Sequence, residues 1–236
     1  MIVFYHTEIA QPTVVLTPEE SKHCVKVLRK KVGDIIFLTD GNGIMAEAEI
    51  TVATPMQCVA QILHREEVAS RNIRLHVAVA PTKNMDRMEW FVEKSVEIGI
   101  EEISFIICEH SERSKVDLER IQRIAISALK QSQTALLPKI QVINYEYFMK
   151  QTSKIECGKY IAWCDQKNSE EFVNEKLTDG EVLMLIGPEG DFSENEISLA
   201  RSLGFKEIKL GNRRLRTETA ALYSCCVVAM KNTIMG

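Results

Sequence analysis

The stretch Leu185-Ile186-Gly187-Pro188-Glu189-Gly190-Asp191-Phe192-Ser193 reads as a strand that enters a glycine-containing loop and then a helix. Residues 182–186 form a short apolar run of the kind found in buried strands. The two glycines permit backbone angles closed to other residues, and the proline stiffens the turn. Ser193 and Glu196 have the spacing of a capping box, so a helix is predicted to begin there and to end at Gly204.

A second stretch, Leu210-Gly211-Asn212-Arg213-Arg214-Leu215-Arg216-Thr217-Glu218-Thr219-Ala220, repeats this plan. It follows a brief predicted strand at residues 208–210, and either Thr217 or Thr219 can cap the next helix. The body of that helix, residues 220–230, is apolar almost all round, which predicts burial. Loops that open helices offer free backbone N–H groups to small ligands. We therefore predict that the two loops are walls of one site.

The rest of the chain changes character near residue 70. The earlier part predicts a small β-barrel with one helix over residues 17–28, and the later part alternates strands with helices. The predicted strands are residues 35–38, 45–50, 58–63, 75–80, 103–108 and 160–164, and the later helices include 84–98 and 117–131. Such alternation predicts an α/β layer with a largely parallel sheet. We expect one domain at 1–70 and another at 71–236.

Composition excludes several function classes. The chain has 236 residues, a net charge of −4, seven cysteines without Cys-x-x-Cys spacing and five scattered histidines, so we expect no metal site. It contains neither a Gly-x-Gly-x-x-Gly fingerprint nor a P-loop lysine motif, which argues against nicotinamide and nucleoside triphosphate sites. No leader or membrane-spanning run is visible, so a cytoplasmic protein without a membrane partner is expected.

Ordered motifs along the whole chain resemble the RsmE family of the SPOUT superfamily of RNA methyltransferases. Besides the two loops, the matching segments are His23-Cys24-Val25-Lys26-Val27-Leu28-Arg29, Phe37-Leu38-Thr39-Asp40-Gly41, Lys83 with Asp86-Arg87-Met88-Glu89, Lys94-Ser95-Val96-Glu97-Ile98-Gly99, Ser111-Glu112-Arg113-Ser114 and Gln131-Ser132. The resemblance implies a PUA-like β-barrel domain, then a SPOUT-type α/β domain with a trefoil knot. It also implies bound S-adenosylmethionine (SAM), a homodimer, and methylation of uridine N3 in small-subunit (16S) ribosomal RNA, with the assembled 30S particle as the expected substrate.

The same resemblance, read with elementary chemistry, assigns candidate roles to site residues. Arg113 or Arg216 is placed to stabilise a uracil anion, and Glu189 or Glu218 to accept the N3 proton or to hold an arginine. The candidate cofactor-binding residues are Trp163, Cys164, Ile186, Gly187, Pro188, Glu189, Gly190, Leu210, Gly211, Asn212, Leu215, Arg216, Thr217 and Glu218. The candidate RNA-binding residues are Arg29, Lys30, Lys83, Arg87, Arg213 and Arg214.

Three positions depart from the family pattern: Gln133 where an arginine is common, Asp191 where glycine is frequent, and Arg214 where an apolar residue is usual. Two alternative functions stay open at this point. One is a SPOUT methyltransferase acting on another nucleotide of ribosomal or transfer RNA. The other is a non-catalytic RNA-binding assembly factor, which would not need to bind cofactor.

Overall fold

The computed structural model describes residues 1–163 and 170–235. The strands are β1 Val3–Tyr5, β2 Thr13–Val15, β3 Ile35–Thr39, β4 Ile44–Ala53, β5 Cys58–Glu67, β6 Ile73–Val79, β7 Glu102–Ile107, β8 Lys139–Asn144, β9 Gly158–Ala162, β10 Glu170–Glu171, β11 Gly180–Ile186 and β12 Lys206–Lys209. The α-helices are α1 Pro18–Lys22, α2 Met85–Ile98, α3 Leu118–Ser132, α4 Tyr145–Thr152, α5 Glu194–Ser202 and α6 Thr217–Met235. None of these described helices has the length and hydropathy needed to cross a membrane.

The described chain divides into two compact units. The first contains residues 1–70 and 126–137, and the second contains the remainder from residue 71 onward. Residues 126–137 join the first unit through hydrogen bonds: the carbonyl of Ala135 accepts from the side-chain hydroxyl of Thr39 at 3.3 Å and from the backbone N–H of Gly43 at 3.0 Å. The domain limits 1–70 and 71–236 stay a prediction; they place residues 126–137 in the second domain, whereas the structure groups this segment with the first unit.

The first unit is built on a five-stranded sheet in the order β1-β3-β4-β5-β2. The β1–β3 pair is parallel and the other pairs are antiparallel. The helix predicted over residues 17–28 is instead α1 followed by a π-helical turn at His23–Val27. Thr17 caps α1 as predicted, since its hydroxyl accepts from Glu20 N at 3.2 Å.

The second unit contains a seven-stranded sheet, β10-β12-β9-β11-β6-β7-β8, in which every pair is parallel. This confirms the predicted α/β class. Helix α2 has the predicted ends: Asn84 caps it by accepting from Asp86 N at 3.0 Å, and Gly99 closes it with φ of 96°. The trefoil knot stays a prediction.

Strand order decides where the two glycine loops lie. Strand β9 separates β11 from β12, so the loops that leave β11 and β12 start from nearby strands of one sheet. Because all the strands are parallel, both loops leave at the same carboxyl edge. The short elements β1, β2, β8, β10 and α4 were not predicted, since runs of two to eight residues carry little periodicity.

Candidate active site

A cavity of about 920 Å³ opens at the carboxyl ends of β9, β11 and β12. Both predicted loops and the start of α6 form its walls. The lining residues are Arg87, Ala162, Trp163, Ile186, Gly187, Pro188, Glu189, Asp191, Ile208, Lys209, Leu210, Gly211, Asn212, Arg213, Arg214, Leu215, Arg216, Thr217 and Ala220. The volume lies in the range that cofactor sites occupy.

One buried hydrogen bond joins the two loops. The Thr217 hydroxyl donates to the Gly187 carbonyl at 3.0 Å, and Thr217 is only 7% exposed. Thr217 or Thr219 was predicted to cap this helix, but α6 already begins at Thr217 and includes Thr219, so both threonines lie inside the helix. A carbonyl buried at a loop requires a donor, so this contact fixes the spacing between the loops.

The two glycines of the first loop leave no room for a side chain, because neighbouring atoms pack closely against them. A Cβ on Gly187 would lie 3.0 Å from the Phe192 ring and 3.3 Å from the Phe192 nitrogen, and one on Gly190 would lie 3.2 Å from His110 Cβ. The expectation that these glycines supply unusual backbone angles is wrong. The left-handed position in this loop is Asp191, with φ of 63°, which accounts for the frequent glycine there in the family. The capping box of Ser193 and Glu196 is confirmed.

The second loop presents open backbone to the cavity. Gly211 has φ of 98°, and a Cβ placed on it would meet no atom within 4 Å. Within residues 1–163 and 170–235, no backbone N–H of residues 211–215 donates to a protein acceptor. Such free donors beside an open wall suit a ligand rich in hydrogen-bond acceptors.

Three predicted residues meet at one peptide. Glu189 Oε1 accepts from Lys83 N at 3.2 Å, and Arg113 Nε donates to Lys83 O at 3.1 Å. The Lys83 ammonium pairs with Glu112 at 3.0 Å. The Lys83 peptide therefore ties the first loop to the Ser111–Ser114 segment that follows β7. Of these residues, only Glu189 lines the cavity.

Glu218, in the first turn of α6, carries a free acceptor. It is 6% exposed, and its Oε1 lies 3.8 Å from Nε of Arg87, which lines the cavity. Its Oε2 is buried without a hydrogen-bond partner among residues 1–163 and 170–235. An unpaired buried carboxylate oxygen is energetically unfavourable. Glu218 itself is not part of the cavity wall.

Trp163 closes the cavity beyond β9. Its Nε1 donates to Glu207 Oε2 at 2.8 Å, and Arg201 Nε donates to the other Glu207 oxygen at 2.6 Å. Hydrogen bonding by Arg201 holds the pKa of the Glu207 carboxyl below its usual range. The carboxylate is therefore charged at neutral pH and orients the indole ring. The predicted neighbour Cys164 lies outside the described residues.

Comparison with known proteins assigns the family. A profile described as RNA methyltransferase domain matches residues 69–229, and one described as RNA methyltransferase PUA domain matches residues 16–63. The chain belongs to the RsmE family of RNA methyltransferases. The match over both units confirms the predicted PUA-like first domain and the methyltransferase domain after it.

Individual relatives agree with this RsmE assignment. Ribosomal RNA small subunit methyltransferase E of Mesomycoplasma hyopneumoniae is 36% identical over 63% of this chain, and the match spans 65% of that relative, just under two thirds. The crystal structure of a probable rRNA-methyltransferase from Porphyromonas gingivalis is 38% identical, with a TM-score of 0.92 over 100% of both chains. A SAM-bound ribosomal RNA small subunit methyltransferase E from Neisseria gonorrhoeae is 31% identical, with a TM-score of 0.81 over 99% of this chain and 98% of that one.

In this RsmE chain most of the predicted cofactor residues share one cavity wall. Those that line it are Trp163, Ile186, Gly187, Pro188, Glu189, Leu210, Gly211, Asn212, Leu215, Arg216 and Thr217. Gly190 and Glu218 stand outside the lining. Whether each residue contacts a ligand stays a prediction.

The predicted RNA-binding residues fall into separate groups. Arg87, Arg213 and Arg214 line the cavity, and the last two are exposed. Arg29 and Lys30 belong to the first unit; Arg29 is exposed with φ of 56°, and the Lys30 ammonium donates to the Ile35 carbonyl at 3.2 Å.

Sequence reasoning missed several residues of the wall. The lining residues that were not predicted are Ala162, Asp191, Ile208, Lys209 and Ala220. Arg87 was predicted to bind RNA but was not predicted to line the cavity. Ala162, Ile208 and Lys209 end β9 and β12, so the rule that ligands bind at the carboxyl ends of parallel strands would have found them. Arg87 lies on α2, far from the loops in sequence, and no local signal points to its position.

Proposed function

We propose that this chain transfers a methyl group from SAM to N3 of one uridine in 16S ribosomal RNA. The observation that carries the proposal is one cavity walled by both RsmE motif loops, with arginines at its edge. The relatives named ribosomal RNA small subunit methyltransferase E support the substrate class, and the SAM-bound relative supports the donor. Since ribosomal RNA is the substrate, we place the protein in the cytoplasm, with the assembled 30S particle as its target.

The residues present fit SAM. The backbone N–H groups of residues 211–215 have no acceptor among the described residues, and together with the open face of Gly211 they suit the adenosine and carboxylate parts of the molecule. When bound, SAM supplies an electrophilic methyl group on a sulfonium centre. The Thr217–Gly187 hydrogen bond holds the loops at a constant spacing, which is the positioning that an in-line transfer requires.

The arginines have two tasks in this proposal. Arg216 is exposed and lines the cavity, so its guanidinium stabilises negative charge on a uracil oxygen as N3 loses its proton. Arg213 and Arg214 stand beside it and contact phosphates of the entering RNA. Glu189 takes the N3 proton, since it lines the cavity and is exposed. Arg113 acts indirectly, because it holds the Lys83 carbonyl while Glu189 holds the Lys83 N–H.

We also propose that the enzyme is a homodimer. Helices α2 and α6 expose large apolar side chains: Trp90 is 43% exposed, Met230 60% and Ile234 79%. Apolar groups on two helices of one unit form a surface that a second copy would cover.

The deciding experiment is nucleoside analysis after a defined reaction. The purified chain is incubated with SAM that carries a labelled methyl group and with 30S particles that lack the modification. The RNA is then digested, and its nucleosides are separated against 3-methyluridine, 5-methyluridine and 2′-O-methyluridine standards. We expect label in 3-methyluridine alone, at one site. Label in another nucleoside would overturn the N3 assignment, and absence of label despite SAM binding would overturn the enzymatic proposal.

A further inference from the structure

A cluster of three side chains lies toward the amino ends of the central strands of the second unit. His76 on β6, Glu102 on β7 and Glu181 on β11 each offer one ligand atom, and these atoms lie within 4.8 Å of one another. The strands are neighbours in the order β11-β6-β7, and the register pairs His76 with Glu102. The active-site cavity occupies the carboxyl edge of the same sheet, so this cluster is separate from it.

We propose that His76, Glu102 and Glu181 together bind one divalent metal ion of the zinc class. An imidazole nitrogen with two carboxylate oxygens is a donor set that zinc and related first-row ions accept. Three protein ligands leave a fourth position for water. The site would connect three adjacent strands, so its expected role is to stabilise the centre of the sheet.

The charges around the cluster favour a cation. Both carboxylates are half-buried, and no lysine or arginine within residues 1–163 and 170–235 forms an ion pair with either of them. Glu102 Oε1 instead lies 3.7 Å from His76 Nε2. Lys139 is the register neighbour of Glu102 and Arg74 is that of Glu181, but neither forms an ion pair with its glutamate. Two carboxylates held this close repel each other, and a divalent ion between them would remove that repulsion.

The histidine nitrogen has one hydrogen-bond partner, which a metal ion must displace. Gln141 Nε2 donates to Ser104 Oγ at 2.9 Å, and Ser104 Oγ lies 2.8 Å from His76 Nε2. With Gln141 as donor, the serine hydrogen is free to point at Nε2, which favours the tautomer with its lone pair on that atom. A metal ion uses that same lone pair, so the Ser104 hydroxyl must turn away from Nε2 when the ion binds, while Ser104 Oγ can keep the hydrogen bond from Gln141.

The ligand atoms must move closer together to hold an ion. Ligand atoms lie about 2.0–2.2 Å from zinc, so two of them on one tetrahedral ion are about 3.4 Å apart. Rotation of the half-buried glutamates closes the remaining distance, while His76, 6% exposed, stays in place against the Phe148 ring at 5.5 Å. The exposed part of the two glutamates provides a path for the ion.

One nearby thiol is a competing ligand that the test must separate. Cys157 directly precedes β9, whose first residue pairs with Val182, so it neighbours Glu181 in the sheet. Cysteine binds zinc strongly, and binding carried by Cys157 alone would not be the proposed site.

The test is titration of the metal-free full-length protein with Zn²⁺ by calorimetry, and with Co²⁺ by absorption spectroscopy. We expect one ion per chain, with affinity lowered at least about tenfold in Glu181→Gln and in His76→Gln. Glu93→Gln changes a half-buried glutamate on α2 that pairs with Lys94; it is the matched control and should bind as the wild type does. Because His76 is buried, Glu181→Gln is the primary variant, and its circular dichroism and SAM affinity should match those of the wild type.

Three results would overturn the proposal. The first is no stoichiometric binding of Zn²⁺ to the metal-free protein. The second is equal affinity in wild type and Glu181→Gln. The third is loss of binding in Cys157→Ser with full binding in Glu181→Gln, accompanied by thiolate-to-cobalt charge-transfer absorption in the wild type.

Discussion

Replacing Thr217 by valine tests how the two loops are held together. Valine has nearly the shape of threonine but lacks the hydroxyl that donates to the Gly187 carbonyl at 3.0 Å. Thr217 is 7% exposed and Gly187 is buried, so water replaces the lost donor poorly. The variant therefore isolates one hydrogen bond between the β11 loop and α6.

The size of the effect follows from that burial. A buried acceptor left without its donor costs about 1–3 kcal/mol. For a chain of this size, the melting temperature should fall by roughly 2–4 °C for each kcal/mol. Both loops form walls of the SAM cavity. If the hydrogen-bonded arrangement of the loops loses about 1.4 kcal/mol of stability, the Kd for SAM becomes roughly tenfold weaker.

Thermal unfolding and calorimetric titration with SAM measure the two quantities. Thr219→Val is the matched control, because Thr219 is exposed on the same helix and the β-branched replacement is identical. We expect the control to stay within about 0.5 kcal/mol of wild type. If Thr217→Val melts and binds SAM as Thr219→Val does, the hydrogen bond does not position the loops.

Four further predictions address the site and the assembly. Gly211→Val should abolish SAM binding in calorimetry, since a φ of 98° on the cavity wall is closed to a β-branched residue. Arg216→Ala should lower the single-turnover methylation rate by about two orders of magnitude with RNA affinity nearly unchanged. Arg29→Ala combined with Lys30→Ala should weaken RNA binding and flatten its salt dependence by roughly one unit of slope per lost contact in filter binding. Met230→Glu should give a monomeric mass in light scattering, because it charges an apolar surface that is 60% exposed.

Matched control variants separate these effects from a general loss of stability. Gly204 also has positive φ, 81°, with no atom within 4 Å of a built Cβ, and it lies outside the cavity lining, so Gly204→Val should bind SAM normally. Weak SAM binding in both glycine variants would refute the Gly211 argument. Arg213→Ala should lower RNA affinity and keep the rate at saturating RNA. A wild-type rate in Arg216→Ala at saturating RNA would show that Arg216 does not stabilise the uracil anion.

Local sequence patterns predicted much of the backbone at the site. The Ser193–Glu196 capping box and the helix bounded by Asn84 and Gly99 are confirmed. These features depend on hydrogen bonds and backbone angles within four residues, so the sequence specifies them without knowledge of the fold. The resemblance to the RsmE family added the prediction that both loops serve one cofactor.

The structural roles of the glycines in the first loop were predicted less well. Gly187 is required by the close approach of Phe192, and the left-handed angle expected of the glycines belongs to Asp191. A sequence reports that a glycine is present, but only the neighbours in space decide whether its angle or its missing side chain matters.

Contacts between distant segments were determined only by the tertiary structure. The Thr217–Gly187 bond spans 30 residues, the Lys83–Glu189 bond spans 106, and no periodicity encodes either of them. His76, Glu102 and Glu181 likewise show no ligand spacing, because each comes from a different strand and the order β11-β6-β7 brings them together. The sequence by itself determined the loops, the helix ends and the family, since these follow from short-range backbone energetics and ordered motifs. The strand order determined which loop ends and side chains meet, since it results from packing of the whole sheet.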